Sequence, residues 1–253
     1  MLRSPGPPMT KLLINVDHVA TLRNARQETF PDPLEAARAC LAGGAEGIVF
    51  HLREDRRHIK DADVLRFAQE LDTKLDFELS LAPEIVGICC DVSPQLATLV
   101  PERREEITTE GGLDVVGNRS RLEQVIPRLY DSGVKEVALF VDPVADHIRA
   151  SAEVGANAIE LHTGDYANAT DPAARGAVLA KMVDSARLAH ELGLTVHAGH
   201  GLDVHNYPAF GRAVPHLAEV SIGFAVIARA LFIGIEHAVA EMRQTIEQNS
   251  HGL

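Results

Sequence analysis

Short apolar, β-branched runs recur along the whole chain, at residues 12–16, 47–52, 75–81, 96–100, 136–141, 158–162, 194–199 and 219–223. Runs of this length and composition predict buried strands. Between them the apolar positions fall three and four apart, as in DPLEAARACLAGG (32–44) and DPAARGAVLAKMVDSARLAHELG (171–193), which is the period of an amphipathic helix. Strands alternating with helices predict a parallel sheet. Four helix-to-strand passages, AGGAEGIVF, DSGVKEVALF, EVGANAIEL and ELGLTVHAG, carry glycine where a helix closes in the left-handed region.

Eight such units in 253 residues fit the size of a closed (β/α)8 barrel. The expected architecture is α/β, a single-domain TIM barrel over residues 11–253 with extra short helices, preceded by a disordered extension at residues 1–10. An open, doubly wound sheet is the alternative, but no G-x-G-x-x-G follows the first strand.

The formal net charge of -12 and the lack of a Lys/Arg run argue against nucleic acid or an anionic membrane as partner. An anionic small molecule would have to be met locally, by particular Arg residues and helix N-termini. Cys40, Cys89 and Cys90 form no C-x-x-C pair; they read as packing residues in a reducing, cytoplasmic compartment. The longest apolar stretch, IGFAVIARALFIGI, is interrupted by Arg229, is shorter than the roughly 18 residues of a membrane span, and reads as a buried helix.

Active sites of such barrels lie where strands run into the following loops. Those ends are polar here: Asn15, Asp17 and His18 after strand one, His51 and Arg53 after strand two, Glu78 in strand three, Glu160 and His162 in strand six, His200 after strand seven. The strand starts offer nothing comparable. Singly, each is more readily a satisfied structural residue; jointly, they converge on one face and favour function. Alternation in D-F-E-L-S puts Asp76, Glu78 and Ser80 on one face. A carboxyl facing the barrel interior loses hydration, which raises its pKa toward the range useful for proton transfer.

HAGHGLD (197–203) and SIGF (221–224) follow strands seven and eight, where barrels frequently cradle phosphate. Gly199, Gly201 and Gly223 permit close backbone approach there. A second basic set, Arg23, Arg26, Arg53, Arg56, Arg57 and His58, could bind another phosphate or form a solvated ion-pair network with Glu54 and Asp55; Arg53 stands closest to a strand end. The polar, glycine-rich segment 108–118 is long for a strand-to-helix loop and reads as a lid hinged at Gly111-Gly112, with Thr108 or Thr109 reaching a substrate.

Lysines 11, 60, 74, 135 and 181 fall in strand starts or helices, which disfavours Schiff-base chemistry. Asp17, His162, His197 and His200 are the zinc alternative, weakened because no H-x-H or H-E-x-x-H occurs. Metal-free acid-base chemistry on a small phosphorylated substrate remains, with a noncatalytic sugar-phosphate binder as a third reading.

The segments NVDHVATLRNARQ (15–27), HLREDRRHI (51–59), LVPERREEITTEGGLDV (99–115), IELHTG (159–164) and AGHGLD (198–203) resemble, in order and spacing, the pyridoxine 5′-phosphate synthase family, from Lys11 almost to the C-terminus. The resemblance implies condensation of 1-deoxy-D-xylulose 5-phosphate with 3-amino-2-oxopropyl phosphate, with no metal or organic cofactor, in a homo-octamer. It implies proton acceptance by His51 and Glu78, proton donation by His200, and transition-state stabilisation by Glu160. Asn15, Gly201 and the backbone at Gly223-Phe224 would hold the amino-ketone phosphate; Asp17, His18, Arg53, His58 and Thr108 the pentulose phosphate; Arg26 would complete the phosphate contacts. The chain departs from the family at Phe224 and His197, where His and Asn are common, and at Ala228, where Gly is common.

Overall fold

The computed structural model describes residues 9–102 and 111–250. In order along the chain run β1 (Lys11–Asn15), α1 (Asp17–Asn24), α2 (Pro33–Ala42), β2 (Gly47–His51), α3 (Asp61–Glu70), β3 (Lys74–Leu79), α4 (Pro83–Val92), β4 (Leu96–Leu99), α5 (Arg119–Asp131), β5 (Glu136–Val141), α6 (Ala145–Glu153), β6 (Ala158–His162), α7 (Gly164–Asn168), α8 (Pro172–Glu191), β7 (Thr195–Gly199), α9 (Tyr207–Ala213), β8 (Leu217–Ile222), α10 (Phe224–Ile233) and α11 (Ile235–Asn249). Each strand pairs in parallel with the next, and β8 closes on β1, with Leu12 opposite Val220 and Ile14 opposite Ile222. All eight expected strands are present, and so is the closed barrel.

Local chemistry fixes several boundaries. Asp32 and Asp171 cap α2 and α8 by accepting from the Leu34 and Ala174 amides, and a proline opens each helix. Gly44, Gly133, Gly155 and Gly193, the four glycines of the helix-to-strand passages, all have positive φ. Thr10, placed in the extension by the sequence, is already anchored: its buried hydroxyl donates to the Leu217 carbonyl at 2.9 Å. Residues 1–8 lie outside the described residues.

The main apolar core lies between strands and helices. Ile14, Phe50, Phe77, Leu99, Leu139, Leu161 and Val220 turn outward onto the helix layer, where Phe50 packs at a tilt against both Phe67 and Phe77. The alternate strand positions therefore face the barrel axis. There, the apolar filling is a small cluster of Leu96, Ala138 and Ala158 with Leu13, Val49 and Phe140, and polar groups occupy much of the rest. Cys40 and Cys89 are buried in the outer core as packing residues, and burial pushes both thiols up, Cys40 to about 12.

Two expectations need correction. The apolar stretch after β8 is not a buried helix: in α10, Leu231 is 72% and Phe232 83% exposed, because the helix packs on the barrel through one side only. Strand starts are also not empty of chemistry. At the floor of the barrel the Lys74 ammonium donates to Glu136 at 2.8 Å and to both oxygens of Glu219 at 2.7–2.8 Å, and His197 stands 3.2 Å from Glu136. Four residues from four different strands meet there because their inward positions share one level of the barrel.

Candidate active site

At the opposite end, the strand ends build a mouth. The Asn15 amide donates at 3.3 Å to Asp17 and to Glu78, and its carbonyl oxygen accepts from the Asp17 amide at 2.8 Å. Asp17 in turn accepts from the His51 amide at 3.0 Å, so β1, β2 and β3 are joined by one network. The His51 ring is buried, with Nε2 2.9 Å from Glu102, which also accepts from the Glu54 amide. His58 lies beside it at 5.9 Å between ring centres. Its Nδ1 accepts from the Ile59 amide, which puts the proton of the neutral ring on Nε2, and burial lowers its pKa.

Below this network, Asp76, Glu78 and Glu160 bring carboxylate oxygens within 4.8 Å of one another. The Thr98 hydroxyl donates to Asp76 at 2.7 Å. Burial, reinforced by the neighbouring carboxylates, raises Glu78 and Glu160 well above the ordinary range, and burial raises Asp76 to about 7. Like charges this close cannot all ionise, so the group retains protons at neutral pH. A side chain at Gly199 would strike the Glu160 carboxylate, so glycine there is what admits Glu160 to the axis.

His200 follows β7 in the left-handed region, with φ 76°. Its ring is open to the mouth, yet the surrounding walls remove enough water, with His162 and His18 adding like charge, to lower its pKa to about 4. The Thr163 hydroxyl donates to the carbonyls of Gly199 and His200, pinning this turn to the end of β6. Gly201 has φ 101°, and a side chain there would meet Ala167. Gly223 caps α10 and packs on Asn15, and the ring of Phe224, 69% exposed, meets His18 edge-on at 5.3 Å. The start of α10, which has no side-chain cap, thus adjoins the Asn15 network, as an anion cradle requires.

The basic set divides. Arg23 is held in a buried pair by Asp63 at 2.7–2.8 Å, Arg56 pairs with Asp61 and Glu84 in place of Glu54 and Asp55, and only Arg57 pairs with Asp55 as the network reading expects. Arg53 is buried at the mouth, 3.7 Å from Asp55. Arg26 is exposed beyond the end of α1, outside the mouth network. Thr108, Thr109 and most of the lid's first half lie outside the described residues; Gly111 and Gly112 are described and pack on Asp142.

The zinc alternative is taken apart by the geometry. His197 faces the floor with Glu136 and Glu219, whereas His162 and His200 stand 5.3 Å apart at the mouth. His197, Glu136 and Glu219 do bring ligand atoms together, but the Lys74 ammonium supplies the positive charge there. Asp17, His51 and His58 form a third such group, within the mouth network itself. Sequence reasoning passed over Glu102 and Asp142. Both follow strand ends, β4 and β5, and the rule that found the other residues would have found them.

A family model described as "Pyridoxal phosphate biosynthesis protein PdxJ" matches residues 12–248. A "Pyridoxine 5'-phosphate synthase" of Salinibacter ruber is 63% identical over 238 residues, 94% of this chain and 98% of the relative. One of the same name from Magnetococcus marinus is 48% identical over 95% of this chain and 98% of the relative. Among solved structures, the Amycolatopsis orientalis BexX/CysO complex contains a chain with TM-score 0.63 at 15% identity, covering 96% of this chain and 94% of that one. A phosphoribosyl anthranilate isomerase structure aligns with TM-score 0.59 at 13% identity, covering 95% and 100%. Likeness at these identities concerns the fold alone.

Proposed function

Since the chain belongs to the PdxJ family of pyridoxal phosphate biosynthesis proteins, we propose that it is a pyridoxine 5′-phosphate synthase. It condenses 1-deoxy-D-xylulose 5-phosphate with 3-amino-2-oxopropyl phosphate, closing a pyridine ring with loss of phosphate and water, by acid-base catalysis without metal or organic cofactor. The supporting observation is the set of proton-holding groups around one mouth: two carboxyls raised well above their ordinary range, His51 paired with Glu102, and His200 lowered to about 4.

Imine formation, enolisation and dehydration each move a proton, and each needs a group able to take or give one near neutral pH. Glu78 accepts a proton from carbon when the proton that the cluster holds sits on a neighbouring carboxyl, and its burial makes the ionised form a stronger base than an exposed carboxylate. His51, held by Glu102, is the second acceptor. His200, lowered chiefly by burial and further by its histidine neighbours, becomes a donor once two phosphate dianions beside it favour the charged form. Glu160 opposes positive charge developing on the imine nitrogen.

Two phosphates call for two cradles. Asn15, Gly201 and the amides of Gly223 and Phe224 hold the amino-ketone phosphate, and Asp17, His18, Arg53, His58 and Thr108 hold the pentulose phosphate, with Arg26 adding to the phosphate contacts. Backbone amides, not an imidazole, bind at position 224, so Phe224 serves there. Self-association into the octamer is supported by Leu22, Leu231 and Phe232, exposed apolar residues on α1 and α10.

Turnover of EDTA-treated protein with both phosphorylated substrates tests this, following pyridoxine 5′-phosphate by absorbance alongside released phosphate. Product without added metal is expected. Failure to form product, or a requirement for added zinc, would overturn the reading.

A further inference from the structure

Asp76 has no role in the scheme above, although it stands in one buried group with Glu78 and Glu160, their carboxylate oxygens within 4.8 Å of one another. Along β3 the inward positions rise through the barrel in steps of two, with Lys74 at the floor, Asp76 in the middle and Glu78 below the mouth. Asp76 is only 1% exposed, so a substrate in the mouth does not reach it. Any part it plays in the reaction passes through its neighbours.

The surroundings of Asp76 differ from those of a framework carboxylate. Glu136 and Glu219 are met by the Lys74 ammonium at 2.7–2.8 Å, with His197 3.2 Å from Glu136. Among the described residues Asp76 has no ion pair, and its one side-chain hydrogen bond comes from the Thr98 hydroxyl of β4 at 2.7 Å. The titratable and charged groups around it are Lys74 of its own strand, His197 of β7, Glu219 of β8, the cluster partners Glu78 and Glu160, and the Cys89 thiol of α4; Asp17 acts on Glu78 from the mouth side. Burial raises Asp76 to about 7, with Thr98, His197 and Lys74 holding it back, whereas for Glu78 and Glu160 the neighbouring carboxyls add to burial. Asp76 is therefore the first of the three to ionise. Its charge then acts on the other two through a nearly dry interior, where screening is weak.

We propose that Asp76 is a positioning residue for the mouth, whose carboxylate charge, held from one side by Thr98 and out of reach of substrate, sets the proton affinity of the Glu78–Glu160 pair; this rests on the function proposed above. With that charge beneath them, the two carboxyls keep their protons to higher pH, and ionised Glu78 is the stronger base for it. No proton moves to or from Asp76 during turnover. It acts as a fixed charge, so its separation from solvent is no obstacle.

The test is Asp76→Asn, which keeps the shape and an oxygen to accept from Thr98 but removes the charge. We follow kcat and KM for both substrates from acid to alkaline pH, and, without substrate, the infrared carbonyl stretch of protonated carboxyls over the same range. The limb on which kcat rises with pH should move down by about one pH unit, and the plateau kcat should fall about threefold, with both KM values within about twofold of the parent. The infrared titration should move in the same direction. Thr98→Val takes away the donor that favours ionised Asp76, and should move both readouts the same way by less. A folded Asp76→Asn whose limb and infrared titration match the parent's overturns the inference while the proposed function stands. If that variant does not fold, Thr98→Val with both readouts unmoved does the same. A parent that makes no product overturns the proposed function, and the infrared comparison then decides the coupling by itself.

Discussion

At the floor of the barrel, Lys74 donates to Glu136 and Glu219 and His197 closes the group; toward the mouth, Asp76, Glu78 and Glu160 face one another, with Thr98 and Asn15 as hydrogen-bond donors. Both clusters are buried, and both are built from inward positions of the barrel strands, with β3 contributing to each. Their charge balance differs. At the floor, burial acts to raise Glu136, but the His197 and Lys74 contacts more than reverse it and bring it down to about 2. Near the mouth nothing comparable offsets burial, and Glu78 and Glu160 are raised. A neutralised cluster serves the fold, whereas one left to hold protons serves chemistry at a cost in stability.

Breaking each cluster should give opposite signatures. Glu78→Gln keeps the shape and the Asn15 contact but removes the base, and kcat should fall about 10³-fold in the two-substrate assay. Lys74→Met leaves two carboxylates and a histidine without their cation, and should cost about 3–5 kcal/mol in denaturant unfolding, while kcat per folded molecule stays near the parent's.

Acid and alkali separate the clusters further. Glu136 titrates at about 2 when folded and near its ordinary 4.5 when unfolded, so the unfolded chain binds the extra proton between those values. Its contribution is present above 4.5 and is lost as pH falls toward 2. For Glu78 and Glu160 the folded state binds the extra proton, so stability falls as pH rises from 4.5 through their raised values. Urea titrations across pH should show both slopes in the parent, with the second reduced in Glu78→Gln and the first reduced in Glu136→Gln. The smallest effect is expected at the mouth's rim: if backbone amides bind the phosphate there, Phe224→His should change KM for the amino-ketone phosphate by no more than about threefold.

Much of this was legible in the sequence. Strand and helix periods located all eight units, and glycines marked four of the helix-to-strand joints. Reading strand ends brought forward Asn15, Asp17, His51, Glu78, Glu160 and His200, which do gather at one mouth. The floor cluster was missed because residues of four strands share a level only once strand tilt and register are known, and neither is written in any one segment. Glu102 and Asp142 were legible as strand-end residues, but their pairing with His51 and His162 was not. Glu102 lies 51 residues from His51, and Asp142 lies 20 from His162, so each contact exists only after the barrel closes. Exposure of α10 escaped notice because an apolar run looks the same whether it meets its own core or another surface.

The unfolding free energy of Glu78→Gln at mildly alkaline pH, measured beside Lys74→Met, tests the contrast most directly. Glu78→Gln should unfold at a denaturant concentration equal to or above the parent's, and Lys74→Met well below it. Destabilisation of Glu78→Gln to the extent of Lys74→Met would contradict the distinction, making Glu78 part of the framework and not a proton-holding group set in it.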